Sequence, residues 1–130
     1  MATVSFVDET TSGERHDAWG LEIFEERLSL RELIRRRVFQ EVAEFNAQEP
    51  ELFTGLVQPS GAERALNGFR VRKGSKVDAE AQFEKAVEAF GRNGFVVLVD
   101  DRQVEELDEE IELARHVEVT FLKLVALVGG

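Results

Sequence analysis

With 130 residues, 43% of them apolar and ten of them phenylalanine, the chain has material for one domain with a sizeable core. Sixteen basic against 26 acidic residues leave a formal net charge of −10. That charge repels nucleic-acid phosphates and anionic membrane surfaces and makes a basic protein surface the natural complement. Cysteine is absent, which excludes disulfides, thiolate catalysis and Cys-ligated zinc and suits a reducing compartment. The opening MATVSFVDETTSG has neither a basic n-region nor a sustained apolar stretch, and no apolar run reaches the ~18 residues that span a bilayer. The expectation is a soluble, cytoplasmic protein with neither nucleic acid nor membrane as partner.

In chain order, ATVSFVDE sets Val4 and Phe6 against Ser5 and Asp8. AWGLEIFEERL sets Trp19, Leu21 and Ile23 against Gly20, Glu22 and Phe24. Both read as strands, joined across the polar TTSGERHD as an antiparallel hairpin, with Phe24 spoiling the alternation. In SLRELIRRRVFQEVAEFNAQ, Leu30, Leu33, Ile34, Val38, Val42 and Phe45 recur at helical steps. Ser29 and Glu32 have capping-box spacing at its start. The run Arg35-Arg36-Arg37 is expected on a solvated helix face.

Residues 46–94 read as an ordered insertion, because Phe53, Leu56, Val57, Leu66, Phe69 and Val71 need burial and ~30 unstructured residues are unusual inside a compact domain. Within it, GFRVRK has the alternation of a short edge strand. A second helix is expected over about residues 78–90, with Ala79, Phe83, Ala86, Val87 and Phe90 on one stripe. Phe95 to Val99 lacks alternation and reads as a strand buried on both faces. Asp100-Asp101 marks a tight turn into a short strand around Gln103 and Val104. An acidic, turn-rich stretch containing Leu107, Ile111 and Leu113 then leads to a final strand starting with Val117, Val119 and Phe121.

The closing unit VLVDDRQVEELDEEIELARHVEVTFLKLVALVGG carries strand, turn, short strand, an LDEEI-like turn, and a strand feeding two glycines. In this the sequence resembles the β-grasp family of ubiquitin-like modifiers and related sulfur carriers, over Ala2 to about Asn46 and Phe95 to Gly130. The resemblance implies a single α+β domain over 1–130, a mixed sheet of about four or five strands packed on one main helix. Residues 46–94 are then an insertion and residues 126–130 a flexible tail. It also implies that the first and last strands lie side by side and parallel at the sheet centre, with the helix from Leu30 to Phe45 over Val4, Phe6, Val119 and Phe121.

A reason for the tail follows from chemistry. A carboxylate is a poor electrophile, so transfer of its acyl group first requires adenylation, with ATP and magnesium used by a separate activating enzyme. The end that enters such an enclosed site must be thin, and glycine has no Cβ to obstruct it. Gly129 and Gly130 are therefore the expected activation and conjugation residues, in a protein that is a substrate and not itself an enzyme, with no bound cofactor or metal. Leu127-Val128-Gly129-Gly130 matches the modifier ending of a leucine, a variable residue and two glycines. Its partners would be the adenylating enzyme, a conjugating enzyme, a deconjugating peptidase and target proteins. Two alternatives stay open: a sulfur carrier with a C-terminal thiocarboxylate for cofactor or tRNA sulfuration, and a non-conjugated β-grasp adaptor.

With Val117, Val119 and Phe121 facing the helix, Leu122 and Leu124 fall on the opposite side. Together with Leu127 they form a candidate partner surface, unless the insertion helix covers it with Phe83 and Phe90. Lys123 then has inward parity, so a bulge or the end of the core is expected near it. His16 and His116 are too far apart in sequence to define a metal pair, and the carboxylates from Glu105 to Glu112 read as a solvated turn able to steer the chain toward a basic groove.

Overall fold

The structure, a computed structural model, describes residues 1–124, apart from the side chains of 17 and 18. In chain order the elements are β1 (Ala2–Thr10), β2 (Arg15–Ile23), β3 (Arg27–Ser29), α1 (Leu30–Gln48), β4 (Glu63–Ala65), β5 (Gly68–Arg70), α2 (Ala79–Gly91), β6 (Phe95–Val99), β7 (Arg102–Val104), β8 (Glu110–Glu112) and β9 (His116–Lys123). The class is α+β, with a mixed five-stranded sheet in the order β2-β1-β9-β6-β7 and two small two-stranded ladders, β3-β8 and β4-β5. The residues gather into two compact units: Met1–Arg31 with the described residues from Phe90 on, and Glu32–Ala89.

In the first unit, β1 runs parallel to β9 and antiparallel to β2, and β6 joins β9 to β7 through antiparallel pairs. The alternation of the apolar residues explains this sheet: Val4, Phe6, Ile23, Val97, Val119 and Phe121 are all buried, and the rings of Phe6 and Phe95 each lie within 6 Å of Phe121, at 5.9 and 5.8 Å. The hairpin loop is shorter than the polar TTSGERHD segment indicates, because β2 already begins at Arg15, where Arg15 and His16 pair with Glu9 and Asp8. Backbone pairing between exposed polar residues leaves no apolar signature. The register slips between Phe6 and Val7, opposite Trp19 and Asp17, so Ala18 is the extra residue of a bulge.

Burial on both faces of Phe95 to Val99 does not hold. Phe95, Val97 and Val99 are buried, whereas Val96 and Leu98 are only half-buried. The unbroken apolar run records a partly open apolar sheet face. Asp100 and Asp101 make the expected turn with φ of 48° and 81°, the left-handed pair of a two-residue type I′ hairpin. The acidic stretch that follows is more structured than a turn: β8 pairs with β3 and buries Ile111 against its register partner Leu28.

That ladder also sets the start of α1. The amide of Leu30 donates to the carbonyl of Glu109 at 3.0 Å, and that of Arg31 to Leu107 at 2.9 Å. Two of the four amides that a helix leaves unpaired are thus satisfied by a distant main chain.

In the second unit, the α1 stripe is buried as its spacing predicts: Leu33, Ile34, Val38, Val42 and Phe45. The arginine run does not lie together on a solvated face. Arg37 is buried and pairs with Glu41, Arg36 pairs with Glu32, and Arg35 pairs with Glu80 while stacking on Phe39 and Phe83 at 4.4 and 5.1 Å. Consecutive residues of a helix point in directions ~100° apart, so a run of three arginines cannot share one solvated face. The insertion is ordered, with β4 and β5 as a hairpin and Phe53 bridging Phe69. Asp78 caps α2 by accepting the Glu80 amide at 3.1 Å. On α2 the apolar stripe is incomplete: Ala86 is buried and Phe83 and Val87 are half-buried, while the polar Gln82 is buried and donates to the Val57 carbonyl at 3.0 Å.

Candidate functional site

β9 is the strand from which the C-terminal segment departs, and it is held on both sides. Its register runs from His116 to Lys123 along β1 and from Val119 to Lys123 along β6. Beyond those ladders, the Thr11 amide donates to the Lys123 carbonyl at 3.1 Å and the Leu124 amide donates to Gly94 at 3.2 Å. The backbone is therefore pinned through Leu124. The core ends where the inward parity of Lys123 requires, since Lys123 is the last residue of β9. Leu127, Gly129 and Gly130, the expected tail residues, lie outside the described residues.

The sheet face opposite the buried aromatics carries Leu122. Paired residues on neighbouring strands project to the same side, so Leu122 shares this face with Val96, its partner on β6, and Thr120 shares it with Leu98 and Val7. Val7 and Thr120 are buried, Val96, Leu98 and Leu122 are half-buried, and Leu124 is 44% exposed. Parity thus brings together a strip of apolar side chains in contact with solvent. Of the rings named as possible covers, Phe83 meets Arg35, and Phe90 meets Phe95 at 5.8 Å.

Farther along this face, Arg15 reaches from β2 to two carboxylates, Glu9 at 2.8 Å and Glu118 at 2.7 Å. The hydrogen bonds it donates to Glu9 and then to Glu118 hold its pKa above the ordinary guanidinium value. A groove of about 500 Å³ opens beside it, bordered by Ser5, Val7, Gly20 and Glu118. Arg15 closes the strip of half-buried apolar residues with a fixed charge pattern.

The acidic segment is partly committed to structure, because Asp108 pairs with Arg31, Glu109 with Arg102 and Glu112 with Arg27. The two histidines stay apart in the sheet register, His16 opposite Asp8 and His116 opposite Thr3. Among the described residues no group of three or more His, Cys, Asp or Glu side chains is placed to hold a metal ion, and no helix is long and apolar enough to cross a membrane. Three residues escaped the sequence: Val7, which is buried on the second face, and Val96 and Leu98, which are only half-buried there, because burial on that face depends on what covers the sheet. Comparison of the chain with models of known families, with curated proteins and with solved structures gives no match.

Proposed function

We propose that the chain is a ubiquitin-like protein modifier of β-grasp fold, adenylated at the Gly130 carboxylate by an activating enzyme and then conjugated to lysine amines of target proteins. One observation carries this reading: the first strand lies parallel to the last at the centre of a sheet ordered β2-β1-β9-β6-β7. That is the central pairing that the resemblance to ubiquitin-like modifiers implies. The strand leading to the glycines is held there between two neighbours, its main chain is pinned through Leu124, and Gly130 follows six residues later in the sequence.

The chemistry needs no catalytic group on this chain. The Gly130 carboxylate oxygen attacks the α-phosphate of ATP and releases pyrophosphate, giving an acyl adenylate. A lysine amine, directly or after the acyl group has passed to a thiol of an enzyme, then attacks the carbonyl carbon. It forms an amide, loses a proton, and expels AMP or the thiol. Since this chain has no cysteine, any such thiol belongs to a partner. The strip around Leu122, Val96 and Leu98, with Leu124 at its end, is the surface on which the activating and conjugating enzymes and a deconjugating peptidase would dock.

Intact-mass and peptide mass spectrometry of the protein recovered from its native cell tests the proposal. The expected result is an isopeptide between Gly130 and target lysines that disappears when Gly130 is deleted. A sulfur-for-oxygen mass shift at Gly130 without isopeptides replaces the modifier by the sulfur carrier. An unmodified protein whose activity survives loss of Gly130 leaves the adaptor.

A further inference from the structure

The negative charge of this chain is unevenly distributed. Residues 62–77 contain Arg64, Arg70, Arg72, Lys73 and Lys76 against the single acidic Glu63, a local charge of +4 within a chain of −10, so the remainder carries −14. This basic stretch is the β4-β5 hairpin and the segment after it. Lys76 is used internally, bonded to the Asn46 carbonyl at 2.8 Å and to Glu49 at 3.1 Å. Arg64, Arg70, Arg72 and Lys73 are all exposed, and among the described residues none of them forms an ion pair. The turn of the hairpin presents Leu66, which is 97% exposed. Beside the hairpin lies a groove of about 740 Å³ with Phe45, Pro50 and Val71 on its apolar part and Arg70, Arg72 and Lys73 on its wall.

We propose that this hairpin and groove are a docking site for an acidic, extended segment of a partner protein, one in which carboxylates alternate with apolar side chains. The carboxylates complement four arginine and lysine side chains that have no partner of their own, and the apolar side chains fill the space over Phe45, Pro50 and Val71. A nucleic-acid strand fits less well. Glu51 and Glu63 interrupt the basic wall of the groove, where a peptide can set an apolar side chain but a phosphate chain is charged at every step, and an exposed leucine offers nothing to a phosphate. The site lies within the second unit and does not depend on the chemistry proposed for Gly130.

Fluorescence anisotropy with the full chain decides the matter, using a short labelled peptide of glutamate pairs separated by leucines and a labelled oligothymidylate of equal charge. The expected result is micromolar binding of the peptide, weaker binding of the oligothymidylate, and loss of peptide affinity as salt rises. Arg70→Glu with Arg72→Glu is expected to weaken peptide binding by about tenfold or more, and Leu66→Ala by about threefold. Arg64→Glu with Lys73→Glu is a second reversal at exposed positions, and Glu105→Lys with Glu106→Lys, on the acidic segment of the other unit, is the control expected to leave the affinity unchanged. Peptide binding no tighter than millimolar, binding of both charge-reversed variants as tight as that of the unaltered chain, or tighter binding of the oligothymidylate overturns the proposal.

Discussion

The guanidinium Nε of Arg37 donates to Oε1 of Glu41 one helical turn later, with 1% and 9% of the two side chains exposed. The other oxygen, Oε2, accepts the main-chain amide of Leu56 at 3.1 Å. One carboxylate therefore neutralises a buried cation and ties α1 to the segment before β4. Glu41→Ala leaves the arginine buried without this partner and is expected to cost about 3–5 kcal/mol. Replacing both charges, Arg37→Met with Glu41→Leu, removes the buried cation together with its carboxylate and leaves the Leu56 amide without this acceptor, at a smaller cost of about 1–3 kcal/mol. Urea denaturation of the variants checks the order, and a double variant less stable than Glu41→Ala contradicts it.

Phe53 and Phe69 exchange both of their main-chain hydrogen bonds at 2.8 Å, and Gly68 sits beside that bridge with φ of 155°. A Cβ at Gly68 would lie 2.9 Å from the Phe53 carbonyl oxygen, which is main chain and cannot swing aside. Gly68→Ala is expected to lower stability by about 1–3 kcal/mol. In amide hydrogen exchange, Phe53 and Phe69 should lose protection before the β1 and β9 amides do; unchanged protection at both rules the account out.

The turn between β6 and β7 holds two non-glycine residues at positive φ. Asp100 has a compensation, since its amide donates to the Glu118 carbonyl at 2.9 Å and its Oδ1 accepts the Glu118 amide at 3.0 Å. Among the described residues no bond of this kind accompanies Asp101, whose φ is the larger at 81°. Asp101→Gly is expected to stabilise the protein by about 0.5–1 kcal/mol, and Asp100→Ala to destabilise it by about 1 kcal/mol. Thermal unfolding reads both signs, and a lower midpoint for Asp101→Gly refutes the first.

Ile111 is buried on β8, in register with Leu28 on β3, in the segment whose Leu107 and Glu109 carbonyls receive the first amides of α1. Ile111→Ala is expected to cost about 2–5 kcal/mol and to speed exchange of the Leu30 and Arg31 amides. Asp108→Asn disturbs only an exposed ion pair with Arg31 and should change stability by less than about 1 kcal/mol. Equal losses for the two variants would mean that the ladder does not organise the helix start.

Leu122 and Leu124 could be placed on the second sheet face from parity alone, because a strand alternates without ambiguity once Val117, Val119 and Phe121 are assigned to the core. Gln82 and Arg37 could not be assigned to the interior, since a polar side chain enters it only when a specific partner waits there. Those partners, Val57 and Glu41, are identified by contact and not by composition. GFRVRK reads in the sequence as a short edge strand, whereas the lack of an ion-pair partner for Arg64, Arg70, Arg72 and Lys73 among the described residues depends on where the carboxylates lie in space.

By itself the sequence determined the elements whose signal is local: the α1 stripe from Leu30 to Phe45, the Asp100-Asp101 turn, and the alternating strands at both ends of the chain. Each depends on residues within a few positions of one another, so periodicity and turn chemistry suffice to reveal it. The parallel pairing of β1 with β9 was expected from the resemblance and not from any local pattern, and only the tertiary structure decided that β3 finds β8, that β2 carries a bulge at Ala18, and that Val96 and Leu98 meet solvent. Those outcomes depend on which distant segment supplies the hydrogen-bond partner or the covering side chain. A pairing across most of the chain leaves no periodic trace in either strand.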